Sequence, residues 1–307
     1  NIGGWAFNGC AGITSIKIPD SVTTIDMSAF SNCENLISIT IPDSVTNIGS
    51  HAFLNTAYYN NDKNWEDKVL YVGAHLVEAK LSISGSYIIK DNTKCIADSA
   101  FTLCKKLDSI TIPNSVTRIG QYAFSNCTNL TSITIPDSVT SISYSAFEEC
   151  TNLASISVAE NNINFSDIEG VLFNKDKTVL IRYPQGKTNT EYILPNGVIS
   201  IGNNAFMGCK NLFDITMPNS VTSIGDSAFY ECTNLESVIV PNSVTSINSC
   251  AFADCINLAS VIIGNGLTSI GALAFSDCIS LTAIIIPDNV TSIDGDVFFG
   301  NDNLTII

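Results

Sequence analysis

Charged residues are scarce in this sequence, and basic residues are scarcer than acidic ones. Only 14% of the 307 residues are charged, whereas about 25% is usual for globular proteins. Lys plus Arg number 14 against 29 Asp plus Glu, which gives a formal net charge of −15, and no run is rich in Lys and Arg. Proteins that bind nucleic acids neutralise phosphates with clustered basic side chains, so we expect no nucleic-acid partner. The low charge and the 45% share of hydrophobic residues also exclude a disordered chain.

Long apolar stretches are missing as well. Unbroken apolar runs such as Val69–Val72 and Ala283–Ile286 contain four residues. A helix that crosses a bilayer needs about 20 consecutive apolar residues. The sequence therefore predicts no membrane insertion.

Motifs that carry catalytic chemistry are not found either. The sequence has no Gly-x-Ser-x-Gly turn, no phosphate-binding loop and no His-Glu-x-x-His zinc motif. Of its two histidines, His51 precedes an Ala-Phe pair at a variable position, where we expect it to be solvated, and His75 has no Ser or Cys nucleophile pattern beside it. The acidic residues of 294–296 and 301–303 lack the spacing of an EF-hand loop. We predict no catalytic residue, no metal site and no cofactor.

The dominant feature of the sequence is an internal repeat. The dipeptide Ala-Phe recurs at a constant spacing in residues within three groups of repeats. The spacing between successive dipeptides is longer only between Ala52 and Ala100 and between Ala146 and Ala205. Its alanines are Ala6, Ala29, Ala52, Ala100, Ala123, Ala146, Ala205, Ala228, Ala251 and Ala274, and a last copy reads Val297-Phe298. A fixed period of roughly 20–50 residues is typical of solenoids and related repeat architectures.

One repeat unit shows the local structure to expect. Residues Ile133–Ile135 alternate with period two and are β-branched, which predicts a short strand that Pro136 ends. Val139–Ile142 predicts a second short strand, and Ala146 and Phe147 point inward from a tight or 3-10-like turn. Such a unit cannot bury its apolar side chains alone, whereas stacked copies form a continuous core.

Two longer patterns resemble a known family. The spacing Leu-x-x-Ile-x-Ile of Leu130–Ile135 resembles that of leucine-rich repeats. Residues 219–232, which read Asn-Ser-Val-Thr-Ser-Ile-Gly-Asp-Ser-Ala-Phe-Tyr-Glu-Cys, resemble the 23-residue repeat of the BspA-like (Treponema-type) leucine-rich repeat protein family. The resemblance covers essentially the whole chain. It implies a right-handed, β-rich leucine-rich-repeat solenoid with a parallel β-sheet on its concave side, and short strands and 3-10 turns elsewhere.

The extent of the repeat bears on domain organisation. No domain boundary is visible, so we expect a single leucine-rich-repeat solenoid domain over residues 1–307. The sequence begins in mid-repeat and stops in mid-strand without a polar capping repeat, and solenoids need such caps for solubility. We therefore expect this chain to be part of a longer one.

Two irregular repeats, at about residues 57–86 and 159–191, break the period. Each contains a hairpin pattern of two apolar runs around a short turn, with the runs Val69–Val72 and His75–Val77 in the first repeat and Val171–Phe173 and Thr178–Tyr183 in the second. Both then return to the repeat through strand-like segments, Tyr87–Ile89 and Tyr192–Leu194. They could simply maintain the stack, or they could project loops on the binding face, as insertions in solenoids do. The aromatic residues Tyr58, Tyr59 and Trp65 of the first one suit a contact surface with a partner.

Nine of the 11 cysteines share one phase, four residues after the repeated alanine. They are Cys10, Cys33, Cys104, Cys127, Cys150, Cys209, Cys232, Cys255 and Cys278. We expect a ladder of buried, reduced thiols in the solenoid core. Stacked Cβ atoms would lie about 4.8 Å apart, wider than the roughly 3.5–4.5 Å of a disulfide, and a ladder cannot surround a zinc ion tetrahedrally. Cys95 and Cys250 lie off this phase and are the candidates for exposed thiols.

Outward residues of the first strand of each repeat form the predicted concave face. Read along the chain, they are Lys17, Thr40, Thr111, Thr134, Ser157, Thr216, Ile239, Ile262 and Ile285. The last three form what we call the isoleucine stripe, and Phe213, Glu236 and Ala259 precede it on the same predicted face. A contiguous exposed apolar patch often marks an interaction site, although β-branched ladders also stabilise sheets without any partner.

The resemblance also carries expectations about function. BspA-like proteins are implied to be adhesins or host-interaction proteins that bind extracellular-matrix proteins such as fibronectin or fibrinogen. We therefore predict a non-enzymatic, secreted or cell-surface binding protein with a protein partner, such as a host extracellular-matrix protein. Its predicted contact residues are Phe213, Glu236, Ile239, Ile262, Ile285, Tyr58, Tyr59 and Trp65. The alternative is a purely structural spacer or stalk segment of a larger surface protein.

Overall fold

The computed structural model describes residues 1–306, and these residues form two units. The first unit comprises Asn1–Thr151 and Ala159–Asn164. The second unit comprises Asn152–Val158 and the chain from Phe165 onward. A single domain over the whole chain stays a prediction from the sequence.

The first unit contains 13 short strands and two very short helices. Its strands are β1 (Ser15–Lys17), β2 (Thr24–Ile25), β3 (Ser38–Thr40), β4 (Asn47–Ile48), β5 (Trp65–Glu66), β6 (Val69–Val72), β7 (His75–Ala79), β8 (Ser84–Ile88), β9 (Cys95–Ile96), β10 (Lys106–Thr111), β11 (Arg118–Ile119), β12 (Ser132–Ile135) and β13 (Ser141–Ile142). The helices are α1 (Ala57–Asn60) and a 3-10 turn at Asp62–Asn64. Within residues 1–306, no helix has the length and hydrophobicity to cross a membrane.

The second unit is built only from strands and turns in its described part. Its strands are β14 (Ser155–Val158), β15 (Phe165–Ile168), β16 (Val171–Asn174), β17 (Val179–Arg182), β18 (Glu191–Ile193), β19 (Ser200–Ile201), β20 (Asp214–Thr216), β21 (Ser223–Ile224), β22 (Ser237–Val240), β23 (Ser246–Ile247), β24 (Ser260–Ile263), β25 (Ser269–Ile270), β26 (Ala283–Ile284), β27 (Ser292–Ile293) and β28 (Thr305–Ile306).

Parallel pairing follows the sequence period in both units. Each regular repeat has a leading strand, such as β22, and a second strand, such as β23. Leading strands pair in parallel with residues one repeat apart, as in Ser15↔Ser38 and Val238↔Val261, and second strands do the same, as in Ser223↔Ser246. The leucine-rich-repeat solenoid predicted from the repeat is confirmed.

Second strands are shorter than the sequence predicts. The strand expected over Val139–Ile142 covers only Ser141–Ile142, as β13. The amide of Val139 instead donates to the carbonyl oxygen of Pro136 at 3.3 Å, which closes a turn directly after the proline. Val139 is fully buried all the same, so its burial comes from the turn and not from a strand.

Both irregular repeats contain the hairpins that the sequence predicts, and each has one strand more. In the first unit β5, β6 and β7 form an antiparallel meander, and in the second unit β15, β16 and β17 do. The last strand of each meander then pairs in parallel with the next second strand, as in His75↔Cys95 and Val179↔Ser200. Tyr87 and Tyr192 return to the leading-strand position, as predicted.

Stacked phenylalanine rings form the centre of each core. In the second unit the ring centroids of Phe206 and Phe229 are 4.8 Å apart, and those of Phe229 and Phe252 are 4.9 Å apart with an interplanar angle of 2°. The amide of Phe229 donates to the carbonyl oxygen of Ala251 in the next repeat at 2.7 Å. In these repeats the phenylalanine supplies the stacked ring, and the small side chain of the alanine is fully buried beside it.

A corner with two left-handed residues carries each Ala-Phe pair except Ala146-Phe147, whose corner has one, Glu149. In one repeat these residues are Ser227 (φ 52°) and Glu231 (φ 56°). Directly after each of them, the amides of Ala228 and Cys232 donate to carbonyl oxygens three residues earlier, at 3.3 and 3.0 Å. The corner thus has 3-10-like hydrogen bonds, and the left-handed residues keep it from continuing as a helix.

We predict that Leu273→Gly stabilises the protein by up to about 1 kcal/mol, because leucine is strained in a left-handed conformation and glycine is not. Leu273 has φ 58° and is 36% exposed, so the packing that its side chain loses offsets part of this gain. Chemical denaturation measures the change. Ile279→Gly is the control, because Ile279 is 57% exposed without a positive φ. A gain in the control equal to that of Leu273→Gly would contradict the strain argument.

Eight of the nine ladder cysteines are buried, and Cys10 is half-buried. Their thiols have a role that the sequence analysis missed, since several of them donate to a backbone carbonyl in the preceding repeat. Sγ of Cys232 lies 3.1 Å from the oxygen of Phe206, and Sγ of Cys255 lies 3.1 Å from that of Phe229. At the equivalent position Asn301 donates to Phe275 at 2.7 Å. Burial raises the thiol pKa, to about 12 for Cys104, Cys209 and Cys278, so these thiols stay protonated and are weak nucleophiles.

The expectation that Cys95 is exposed is wrong. Cys95 is 1% exposed and lies on β9 between β7 and β11, with its Sγ 3.4 Å from Nδ1 of His75. Cys250 is half-buried and occupies a left-handed corner position with φ 55°.

Candidate functional site

The isoleucine stripe lies on the outer face of the leading strands in the second unit. Ile239, Ile262 and Ile285 are 61%, 58% and 65% exposed, whereas the residues directly before them are buried. Ile239 and Ile262 are direct partners in the parallel pairing of β22 with β24. Strand alternation therefore turns these three apolar side chains outward, since their neighbours fill the core.

One further isoleucine shares this position in the second unit. Ile193 on β18 is 73% exposed and pairs with Thr216 on β20. Its position does not follow from the regular period, because Ile193 comes directly after an irregular repeat of different length. Between Thr216 and Ile239 the face has a depression of about 170 Å³, which Asp214 also lines.

Phe213, Glu236 and Ala259 form the edge of this face. The amide of Glu236 donates to the carbonyl oxygen of Phe213 at 3.1 Å, and the amide of Ala259 to that of Glu236 at 2.9 Å. All three are exposed, Phe213 by 39%. With Glu191 paired to Asp214 close by, the apolar stripe has an acidic border. Such a surface is complementary to an apolar patch with a basic rim.

The aromatic residues Tyr58, Tyr59 and Trp65 are held together in the first unit. Tyr58 donates its hydroxyl to the carbonyl oxygen of Tyr71 at 2.9 Å, and the Trp65 indole donates to that of Tyr59 at 2.7 Å. The rings of Tyr59 and Trp65 meet edge to face, with centroids 5.1 Å apart. Thr56 caps α1 by accepting from the amide of Tyr59 at 3.0 Å. These side chains are half-buried and do not project as a flat contact surface.

Tyr59 and Trp65 line a cleft of about 440 Å³, which Tyr58 does not. Asp62, Glu78 and Lys80 contribute the charged groups of this cleft. Leu81 contributes an exposed apolar side chain. The hydroxyl of Tyr59 donates to Oε1 of Glu78 at 2.8 Å. Two of the three predicted aromatic contact residues, Tyr59 and Trp65, therefore line a concave site.

The fold brings His75 next to Cys95, which is 20 residues away in the sequence. Nδ1 of His75 lies 3.4 Å from Sγ of Cys95, and Nε2 lies 3.3 Å from the carbonyl oxygen of Pro42. Because a carbonyl oxygen can only accept, Nε2 carries the proton and Nδ1 accepts from the thiol. Burial lowers the pKa of His75 and raises that of Cys95 to about 12. The pair is therefore a neutral thiol and imidazole, unlike the thiolate of a cysteine nucleophile.

This buried imidazole predicts a loss of stability in mild acid. Burial lowers the pKa of His75 on folding, so the neutral imidazole stabilises the folded state. This stabilisation is fully present above the ordinary pKa of about 6.5. That contribution is lost as the pH falls below this value, because the unfolded chain then binds the proton more readily. We expect His75→Gln to lose less stability than the wild type between pH 7.5 and 5.5 in urea denaturation.

The exposed His51 provides the control for this prediction. His51→Gln removes the other, exposed histidine and leaves His75 in place, so it should lose more stability in acid than His75→Gln. Glu78 and Asp98, whose pKa values burial raises, affect the wild type and His75→Gln equally. Equal acid losses for wild type and His75→Gln would contradict the assignment of a neutral buried imidazole.

Comparison with solved structures finds three informative relatives. The pneumococcal vaccine antigen PcpA is 24% identical with a TM-score of 0.66, and the match covers 94% of this chain and 66% of the antigen. A leucine-rich cell surface protein from Faecalibacterium prausnitzii A2-165 is 30% identical over 96% of this chain and 72% of its own, with a TM-score of 0.55. A leucine-rich repeat protein from Bacteroides ovatus ATCC 8483 is 27% identical over 99% and 69%, with a TM-score of 0.51.

Comparison with curated proteins finds no match. The family model described as the BspA type leucine rich repeat region matches residues 1–75, 79–192 and 183–305. These segments include the regular repeats and most of both irregular ones. The chain therefore belongs to the BspA-type leucine-rich repeat family.

Proposed function

We propose that this chain is a non-enzymatic binding protein, secreted or displayed at a cell surface, that holds a partner protein against the isoleucine stripe. The observation that carries the proposal is the exposure of Ile239, Ile262 and Ile285, each by more than half, at one position of consecutive repeats. A contiguous apolar patch of this kind costs solubility unless a partner covers it. The first irregular repeat, with Tyr59 and Trp65, provides a second contact region.

Family membership supports the location and the absence of catalysis. The relative from Faecalibacterium prausnitzii, 30% identical over 96% of this chain, is described as a cell surface protein. Leucine-rich repeat proteins generally act through binding, and the protonated thiols of the core do not provide a nucleophile. A surface location and a binding role fit together, because a rigid repeat scaffold offers an extended face to another macromolecule.

The charge of the surface favours a partner with basic residues. Asp214 and Glu236 border the stripe, and the net charge of −15 attracts cationic surfaces over a distance set by ionic strength. Host extracellular-matrix proteins, such as fibronectin or fibrinogen, are the partners that we propose. The chain would then act as an adhesin.

Solid-phase binding of the protein to immobilised fibronectin and fibrinogen tests this proposal. We expect saturable binding by the wild type, and a loss of about 100-fold in affinity for the triple variant Ile239→Ser, Ile262→Ser, Ile285→Ser. That estimate assigns about 1 kcal/mol to each partly exposed isoleucine. The control is Thr40→Ser, Thr111→Ser, Thr134→Ser, which changes exposed residues at the same strand position in the first unit.

Two results would contradict the proposal. A structural spacer would show no saturable binding to either matrix protein. Binding that the isoleucine variant retains in full would place the contact elsewhere on the chain. Circular dichroism of all three proteins checks that the repeats stay folded.

A further inference from the structure

Two adjoining clefts in the first unit share the carboxyl group of Glu78. The first cleft, with Tyr59 and Trp65, has a volume of about 440 Å³. The second cleft, which His51 and Asp98 help to line, has a volume of about 340 Å³. Glu78 belongs to the walls of both. A concave site that combines apolar walls with a few polar groups is the usual form of a small-ligand site.

One oxygen of Glu78 is available for a ligand. Oε1 accepts the hydroxyl proton of Tyr59 at 2.8 Å, whereas Oε2 makes no hydrogen bond within the part of the chain that the structure describes. Burial raises the pKa of this carboxyl group. The shift reflects the cost of holding a carboxylate away from water without a cation beside it, and a bound cation would offset that cost.

Other charged groups of the clefts already have partners. Nζ of Lys80 lies 2.7 Å from Asp62 and 4.9 Å from the centre of the Trp65 ring. Asp98 accepts from Arg118 at 3.4 Å and from a backbone amide at 2.7 Å. In each of these two pairs the opposite charges offset each other. The carboxylate of Glu78 is then the one negative charge of the clefts without a cation as its partner among the described residues. The exposed His51 lines the second cleft together with Glu78 and lowers the pKa of that carboxyl group, against the larger effect of burial.

Apolar side chains line the way to Glu78. Leu81 and Leu103 are 62% and 44% exposed, and Val77 and Ala79 complete the apolar lining of the second cleft. An aliphatic stem can lie against these groups while a charged end reaches the carboxylate, as lysine side chains do on protein surfaces.

We propose that the two clefts bind a primary alkylammonium group of the lysine side-chain type, with Glu78 as its counter-ion. An ammonium needs one carboxylate oxygen, whereas a guanidinium forms its preferred pair with both. Because Tyr59 occupies Oε1, the geometry favours the ammonium. The site lies in the first unit and does not depend on the isoleucine stripe of the second, so each can fail independently.

Calorimetric titration of the 307-residue protein with Nα-acetyl-lysine amide tests the proposal. We expect saturable binding that falls at least about tenfold in Glu78→Gln, because a charge-assisted hydrogen bond is lost. Gln keeps an acceptor for Tyr59, so the variant should fold. Glu34→Gln, which removes an exposed carboxylate of the same unit, should bind as the wild type does.

A second variant gives the opposite expectation. Lys80→Met removes the resident ammonium and frees the face of Trp65. We expect it to bind Nα-acetyl-lysine amide several times more tightly than the wild type. If the cleft bound only the apolar stem of the ligand, Lys80→Met and the wild type would bind Nα-acetyl-lysine amide with equal affinity.

Three results would overturn the proposal. The first is no saturable binding of Nα-acetyl-lysine amide by the wild type. The second is equal binding of Nα-acetyl-norleucine amide, which has a similar stem without the charge. The third is equal or tighter binding of Nα-acetyl-arginine amide, which would contradict the assignment to an ammonium.

Discussion

Replacement of Phe229 by alanine is expected to destabilise the protein by about 3–5 kcal/mol. The Phe229 ring is fully buried, and its centroid lies 4.8 Å from that of Phe206 and 4.9 Å from that of Phe252. Its removal leaves a cavity between two stacked rings. The backbone on either side cannot close this cavity, because the amide of Phe229 is bonded to the next repeat at 2.7 Å. Both rings therefore lose contacts that no rearrangement restores.

Chemical denaturation monitored by circular dichroism measures this effect. Phe213→Ala is the matched control, because Phe213 belongs to the same unit and is 39% exposed. We expect the control to lose about 1 kcal/mol or less. Similar losses for the two variants would show that the stacked rings are not the centre of the core.

Gly271→Val is expected to have the second large effect, a loss of about 3 kcal/mol. Gly271 follows β25, and its amide donates to the carbonyl oxygen of Ile247 in the preceding repeat at 2.8 Å. A Cβ atom at this position would lie 2.6 Å from the backbone nitrogen of Ser249 and 2.7 Å from the carbonyl carbon of Asn248. These are backbone atoms of a neighbouring repeat, so the two repeats would have to move apart.

Gly295→Val separates this steric effect from the general cost of replacing glycine. Nothing lies within 4 Å of a Cβ atom at Gly295, and neither glycine has a positive φ. We expect Gly295→Val to change the midpoint of denaturation little. If both valine variants were equally stable, the close approach of successive repeats at Gly271 would be refuted.

Much of the fold could be predicted because its pattern is strictly periodic. The constant length of the regular repeats fixes which residues pair, and the structure pairs Val238 with Val261 accordingly. The period fails in the irregular repeats, where β7 pairs with β9 at a shorter offset than the regular repeat, as in His75↔Cys95. Cys95 packs against His75 of the first irregular repeat, a contact that the regular period does not predict. The extra strands β5 and β15 lie in the same non-periodic segments.

The candidate sites differ in the same way. The outward direction of Ile239 and Ile262 follows from strand alternation and could be predicted from the sequence. The cleft at Glu78 could not, because it depends on the contact of Tyr59 with a residue 19 positions later in a non-periodic segment. No short motif marks that contact, so only the structure brings the aromatic residues and the carboxylate together.

Hydroxyl-radical footprinting of the protein bound to fibronectin or fibrinogen tests the central claim most directly, because it reports the accessibility of individual side chains. We expect Ile239, Ile262 and Ile285 to lose most of their oxidation in the complex. The controls are Ile199, which directly precedes a second strand of the same unit, and Ile293, which lies on another. They are 47% and 50% exposed. We expect their oxidation in the complex to equal that in the free protein. Unchanged oxidation of the isoleucine stripe in the complex would contradict the account.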